Sequence, residues 1–109
     1  MPARRRDPGP VFSALADPTR REVMRALAER GPATATELAT QFPISRQAVA
    51  KHLGLLTEAG LVTAVRQGRE LRYTLDPAPL SDAMGWMATV GDEWDTRLTA
   101  LDAHLRAGR

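Results

Sequence analysis

The 109-residue chain contains no cysteine. That excludes disulfides, thiolate zinc sites and cysteine redox switching together. Histidine is nearly as scarce: His52 and His104 are the two present, so an imidazole-rich metal site is not expected. No apolar run approaches the ~20 residues that cross a bilayer, and no membrane partner is expected. The opening Met1-Pro2-Ala3-Arg4-Arg5-Arg6-Asp7 is basic but lacks the apolar stretch of a secretory signal, which points to the cytoplasm. A glycine-rich phosphate loop and any Ser/His/Asp arrangement are missing too, and the acids scatter over helix surfaces. Catalysis has nothing to start from, so neither an enzyme nor a cofactor is expected.

What is present is one domain's worth of chain, 43% hydrophobic and 26% charged, enough for a single hydrophobic core. The formal charge of +2 hides an asymmetry. Residues 1–75 hold twelve Arg/Lys against seven Asp/Glu, and residues 76–109 hold three against six. A basic front of +5 suits a polyanion, while an acidic tail of −3 suits some other task. Fourteen of the fifteen cations are arginine, with Lys51 the exception, and a guanidinium fork fits phosphates and guanine edges.

Residues 1–10, with three prolines, one glycine and three arginines, read as a flexible basic arm. It serves either as a solubilising tail or as an arm that touches phosphates or a minor groove. Residues 11–109 form the domain. A first helical segment carries Val11, Phe12 and Leu15. Asp17-Pro18 then supplies an N-cap and a proline suited to the first helical position. Val23, Met24 and Leu27 give that helix its apolar stripe, and Gly31-Pro32 stops it. Thr34-Ala35-Thr36-Glu37 fits a capping box. Leu38, Ala39 and Phe42 form a short apolar face ended by Pro43. Ser45 caps a longer helix from about Arg46 to Ala59, closed by Gly60. Two short helices separated by Phe42-Pro43-Ile44-Ser45 make a helix-turn-helix signature.

Beyond Gly60 the residues become β-prone. Leu61-Val62-Thr63-Ala64-Val65, a Gln67-Gly68 turn and the alternating Leu71, Tyr73 and Leu75 predict a hairpin with an arginine-rich tip of Arg66, Arg69 and Arg72. Asp76-Pro77-Ala78-Pro79 breaks the chain before a final helix over about residues 80–106, with Ser81 near its start as a cap. There Leu80, Met84, Met87, Gly91, Trp94, Leu98, Leu101 and Leu105 fall at 4-3-4-3-4-3-4 spacing, an unbroken a/d register. Gly91 in that seam allows close helix approach or a local kink. The stripe packs on the domain's own core or on a second subunit. A domain this small has little core left to cover, which favours a homodimer, with Val11, Phe12 and Leu15 joining Met84, Met87, Trp94, Leu98, Leu101 and Leu105. Asp92, Glu93 and Asp95 would then point away from a polyanion. Trp86, Trp94, Met84 and Met87 line an apolar pocket near the seam or are plain core.

On a wheel at ~100° per residue, Val49, Leu53 and Leu56 of the Arg46–Ala59 helix face the core. Gln47, Ala50, Lys51 and Gly54 lie opposite, with Arg46 and His52 at the edges. Small residues admit a groove wall, Gln47 pairs with adenine, and Lys51 reaches a phosphate or a guanine. Ser45 and the helix N-terminus suit a phosphate. Taken alone, such a face is often merely solvated. Helix, turn, helix and cationic hairpin in this order point to DNA.

The stretch Leu15-Ala16-Asp17-Pro18-Thr19-Arg20-Arg21 resembles the opening signature of ArsR-type repressors. Residues 44–62, from Ile44-Ser45-Arg46-Gln47 through Lys51-His52-Leu53 to Ala59-Gly60-Leu61-Val62, are similar to their recognition helix and its exit. Gly68-Arg69 followed by Tyr73 matches their wing. The resemblance spans roughly residues 11–100. It implies a mainly α winged helix-turn-helix with a small β-hairpin, in the order α-α-α-α-β-β-α, dimeric through terminal helices, and repression relieved by a signal. Many metal-sensing members carry two cysteines after a Glu-Leu pair. Here Glu37-Leu38 is followed by Ala39 and Gln41 at those positions, so thiolate sensing is not expected. Asp102-Ala103-His104 matches half of a second family site, and two ligands are too few for zinc.

The expected function is therefore a homodimeric transcriptional repressor of double-stranded operator DNA. Its expected DNA contacts are Ser45, Arg46, Gln47, Ala50, Lys51, His52, Gly54, Arg66, Arg69 and Arg72. One alternative is a winged helix that binds protein instead of DNA, and the cationic wing speaks against it; another is a DNA-binding activator or architectural factor, and only the resemblance favours repression over that. The trigger is a small organic ligand, a partner protein or nothing beyond the protein's own concentration.

Overall fold

The computed structural model describes residues 7–108. Six of the ten residues expected to form the basic arm, 1–6, lie outside that range. Helix α1 (Gly9–Leu15) begins inside the remainder of the arm, with Pro10 in its first turn. It is followed by α2 (Pro18–Arg30), β1 (Ala33–Thr34), α3 (Ala35–Ala39), α4 (Arg46–Glu58), β2 (Val62–Gln67), β3 (Glu70–Leu75) and α5 (Ala78–Ala107).

Local chemistry sets most of these boundaries. Asp17 Oδ1 accepts from the amides of Thr19 (2.8 Å) and Arg20 (3.1 Å), which caps α2. The capping box forms in both directions: the Glu37 amide donates to Thr34 Oγ1 at 3.1 Å, and the Thr34 amide donates to Glu37 Oε1 at 2.8 Å. Ser45 Oγ accepts from the Ala48 amide at 3.1 Å. The exit of α4 is a Schellman turn. The Leu61 amide donates to Leu56 O and the Gly60 amide to Thr57 O, both at 3.0 Å, while Gly60 takes φ +77°. Leu56 and Leu61, which flank that turn, are both fully buried. Helix α3 is shorter than the apolar pattern suggested: it ends at Ala39, and the chain reaches Pro43 through two tight turns closed by the Gln41 and Phe42 amides. The predicted cap Ser81 is not used. Helix α5 starts at Ala78, whose amide donates to Asp76 Oδ1 at 3.0 Å.

The sheet has three antiparallel strands in the order β1-β3-β2, one more than the hairpin expected. Strand β1 pairs Ala33 with Tyr73 and Thr34 with Arg72. Two residues carry no periodicity, so β1 has no signature in the chain. The hairpin turn is Gly68-Arg69, with Gln67 opposite Glu70. Gly68 takes φ +61° and Arg69 does not go positive, which fits a II′ turn with glycine first. Val11, Val23, Leu27, Leu38, Val49, Leu53, Leu56, Leu61 and Tyr73 form the centre of a core to which every helix contributes.

Helix α5 is the exception in one respect. At ~1.5 Å per residue its 30 residues span about 45 Å, but only Pro79 and Ala83 near its start are buried. The molecule is accordingly 71 Å along its longest axis.

Candidate nucleic-acid interface

Leu53 and its neighbours Val49 and Leu56 are buried completely, which fixes the roll of α4 and turns its other side outward. Ser45, Arg46, Gln47, Lys51 and Gly54 are exposed there. Ala50 is half-buried against the core and forms the floor of this face. A Cβ built on Gly54 meets nothing within 4 Å, so the protein itself leaves that position open. His52, at the edge of this face, is half-buried, with Nδ1 enclosed and without a hydrogen-bond partner among the described residues.

Arg46 Nε donates to Thr36 Oγ1 at 2.9 Å, which ties the start of α4 to α3 and holds the helix-turn-helix angle. Glutamate and aspartate are absent from residues 38–57. The N-terminal dipole of α4 thus meets no carboxylate of its own first turn, a condition that favours an incoming anion.

The wing divides its three arginines. Register places Arg66 opposite Leu71 and Arg72 opposite Val65, so the pleat sends Arg66 and Arg72 to opposite faces of the hairpin. Arg72 does not reach out at the tip. Its guanidinium pairs with Glu37 Oε1 (3.2 Å) and Glu70 Oε2 (3.1 Å) and donates to Gln67 Oε1 (3.1 Å). The expectation of a DNA contact from Arg72 is corrected accordingly: the central strand carries it, and it holds the wing to α3. Arg30 reaches the same carboxylate, Glu37 Oε2, at 3.5 Å. By neutralising Glu70, Arg72 leaves Arg66 and Arg69 as exposed wing cations with no ion pair among the described residues.

Two carboxyls are held below their ordinary values. For Asp17 the backbone amide of Arg20 is the main cause, and for Glu37 it is the backbone amide of Thr34, assisted by the Thr34 hydroxyl and by Arg72 and Arg30. Both are structural acids rather than interface residues.

On α5, Met84, Met87, Trp94, Leu98, Leu101 and Leu105 form the expected stripe, exposed from 47% at Met87 to 64% at Met84. Phe12 meets Trp86 edge-on, ring centroids 5.7 Å apart, which joins α1 to α5. Leu15 is half-buried against the core. Val11 is only 4% exposed and packs in its own subunit's core, so it is withdrawn from the dimer face. Asp102 pairs with Arg106 at 3.1 Å, and His104 is exposed. No group of three or more His, Asp or Glu side chains suited to a metal occurs among the described residues. None of their helices is long and apolar enough to cross a membrane.

A helix-turn-helix domain family matches residues 15–65. The chain is 34% identical over 88 residues to the transcriptional repressor SdpR of Bacillus subtilis, covering 81% of this chain and 97% of that protein. An ArsR-like transcriptional regulator from Rhodococcus superposes with a TM-score of 0.79 at 45% identity, covering 86% of this chain and 88% of the other. A homodimeric winged helix-turn-helix DNA-binding domain from Mycobacterium bovis superposes at 0.61 with 26% identity, covering 78% of each chain.

Proposed function

The chain belongs to the ArsR family of winged helix-turn-helix transcriptional regulators, and from that premise we propose that it represses transcription as a cytoplasmic homodimer seated on a two-fold operator. The observation that carries the reading is a set of exposed cations on the outward side of α4 and on the wing. Arg46 and Lys51 on α4 and Arg66 and Arg69 on the wing are exposed, while Glu37 and Glu70 are offset by ion pairs with Arg72 and Arg30.

Each α4 enters a major groove, with half-sites about one turn, ~34–36 Å, apart. Gln47 reads a base edge through its amide, and Lys51 takes a phosphate or a guanine. Ala50 and Gly54 bring the backbone close to the groove wall. Ser45 and the free amides at the start of α4 receive a phosphate. Arg66 and Arg69 reach the backbone or the adjoining minor groove. Dimerisation buries the Met84-to-Leu105 stripe with Phe12 and Leu15. The chain has no thiolate with which to sense a metal, so relief of repression depends on other chemistry.

The test is binding of the purified protein to the DNA upstream of its own coding sequence, against a scrambled duplex of equal length, across a salt series. Preference for the first, weakening steeply with salt, is the expected result. Absence of binding at low salt refutes the proposal and favours a winged helix used for protein contacts.

A further inference from the structure

A cavity of about 370 Å³ opens between α1, the start of α2 and the last turn of α4. Its volume falls in the range of about 300–1,000 Å³ typical of small-molecule sites. Pro10, Ala14, Leu55 and Ala59 give it apolar walls, and Arg20 and Glu58 are its charged groups. Arg20 is already committed: Nε donates to Ala14 O at 2.9 Å, a terminal nitrogen donates to Ser13 O at 3.3 Å, and Asp17 Oδ2 lies 3.7 Å away. Glu58 has no ion pair or hydrogen bond among the described residues, although it stands in a domain rich in arginine. A smaller cavity of about 80 Å³ adjoins, sharing Pro10, Glu58 and Ala59 and adding the carboxylate of Asp7. Among the described residues the free charge of the site is therefore negative, set against an apolar wall.

We infer that this cavity binds a small apolar organic cation, an arylalkyl or alkyl ammonium, with Glu58 as its counter-ion, and that binding loosens the hold on DNA. Pro10, Ser13 and Ala14 line one side of α1, while Phe12, toward the opposite side at ~100° per residue, meets Trp86 of α5. A dimer seam along α5 and Phe12 thus leaves the cavity open. Its walls join α1, which abuts that seam, to Leu55, Glu58 and Ala59 at the end of the recognition helix. A ligand wedged there favours a changed angle between α1 and α4, whereas two half-sites at fixed spacing demand one angle. By linkage the cation and the DNA weaken each other. The regulatory half of this inference rests on the DNA reading above; the binding half does not.

The experiment uses 2-phenylethylammonium as the probe and phenylacetate as its anionic counterpart, titrated into the DNA-free protein and followed by amide NMR shifts. Saturable binding is expected, with shifts confined to α1, the start of α2 and the end of α4. Phenylacetate, and the cation added to Glu58→Gln, should each bind at least tenfold more weakly. Equal binding of both probes, indifference to Glu58→Gln, or no saturable shift overturns the site. In a second arm, a saturating concentration of the cation should raise the Kd for the upstream duplex about fivefold or more in the unaltered protein and leave it unmoved in Glu58→Gln. An unchanged Kd in the unaltered protein overturns the regulatory half. Failure of the ligand-free protein to bind the duplex overturns the DNA reading and the regulatory half with it, while the NMR titration still decides the site.

Discussion

Replacing Gly54 by alanine separates what α4 needs for folding from what it needs for binding. Gly54 is the ninth of thirteen helical residues, has no positive φ, and a Cβ there meets nothing within 4 Å. Folding should gain the helix-propensity difference of about 0.5–1 kcal/mol per subunit, since nothing clashes and the unfolded chain loses freedom. In a domain of this size that raises Tm by about 4–8 °C per kcal/mol. Binding should move the other way. If Gly54 is where the helix backbone meets the groove wall, an added methyl overpacks that contact at about 1–3 kcal/mol, roughly five- to 150-fold in Kd. Urea unfolding followed by circular dichroism gives the first quantity, and fluorescence anisotropy with the upstream duplex gives the second. A variant that is more stable and binds as before would refute the close approach at Gly54. A variant that gains no stability would refute the claim that the space above Gly54 is free.

Gln47→Ala should lower affinity for the specific duplex by about 1–3 kcal/mol with little effect on the scrambled one, whereas Arg69→Ala should weaken both alike. In a dimer, Arg69→Ala should also reduce the slope of log K against log salt by about 1.8, two phosphate contacts at ~0.9 each; an unaltered slope would remove the wing from the interface. Leu98→Asp puts a carboxylate in the α5 seam and should weaken the dimer about a hundredfold or more, seen as monomer in sedimentation at micromolar protein. An undisturbed dimer would mean that the stripe is not the seam. For pH, Asp17 and Glu37 are held below their ordinary values of 3.8 and 4.5, so the stability they contribute is fully present above those values and lost as pH falls through the lower folded-state values. Urea midpoints should drop in acid below about pH 4.5, and Glu37→Gln should start lower and fall less steeply; a parallel decline would contradict the role given to Glu37.

The helices were legible because their signals are local. Asp17-Pro18, Thr34 with Glu37, Ser45 and Gly60 each complete a hydrogen bond within a few residues, so reading them needs no knowledge of the rest of the chain. The roll of α4 was likewise determined by Val49, Leu53 and Leu56, because a 3.6-residue period has one solution for what faces inward. The a/d run of α5 was legible from spacing as one apolar stripe, but only the fold left it exposed instead of packed on the domain's own core. What the fold decided were pairings between distant residues. Strand β1 exists only because β3 offers Ala33 and Thr34 a free edge from Tyr73 and Arg72. Arg66 and Arg72 look equivalent along the chain, but pairing register sends them to opposite faces and brings Arg72 to Glu37, thirty-five residues away. Val11 and Phe12 are adjacent in sequence, yet the position of α1 over the core buries the first and sets the second against Trp86. The cavity beside Glu58 was invisible in the same way, since it is the space left where three helices meet. Caps and periods are contracts between near neighbours; charge partners, faces of a hairpin and cavities depend on which distant segments close together.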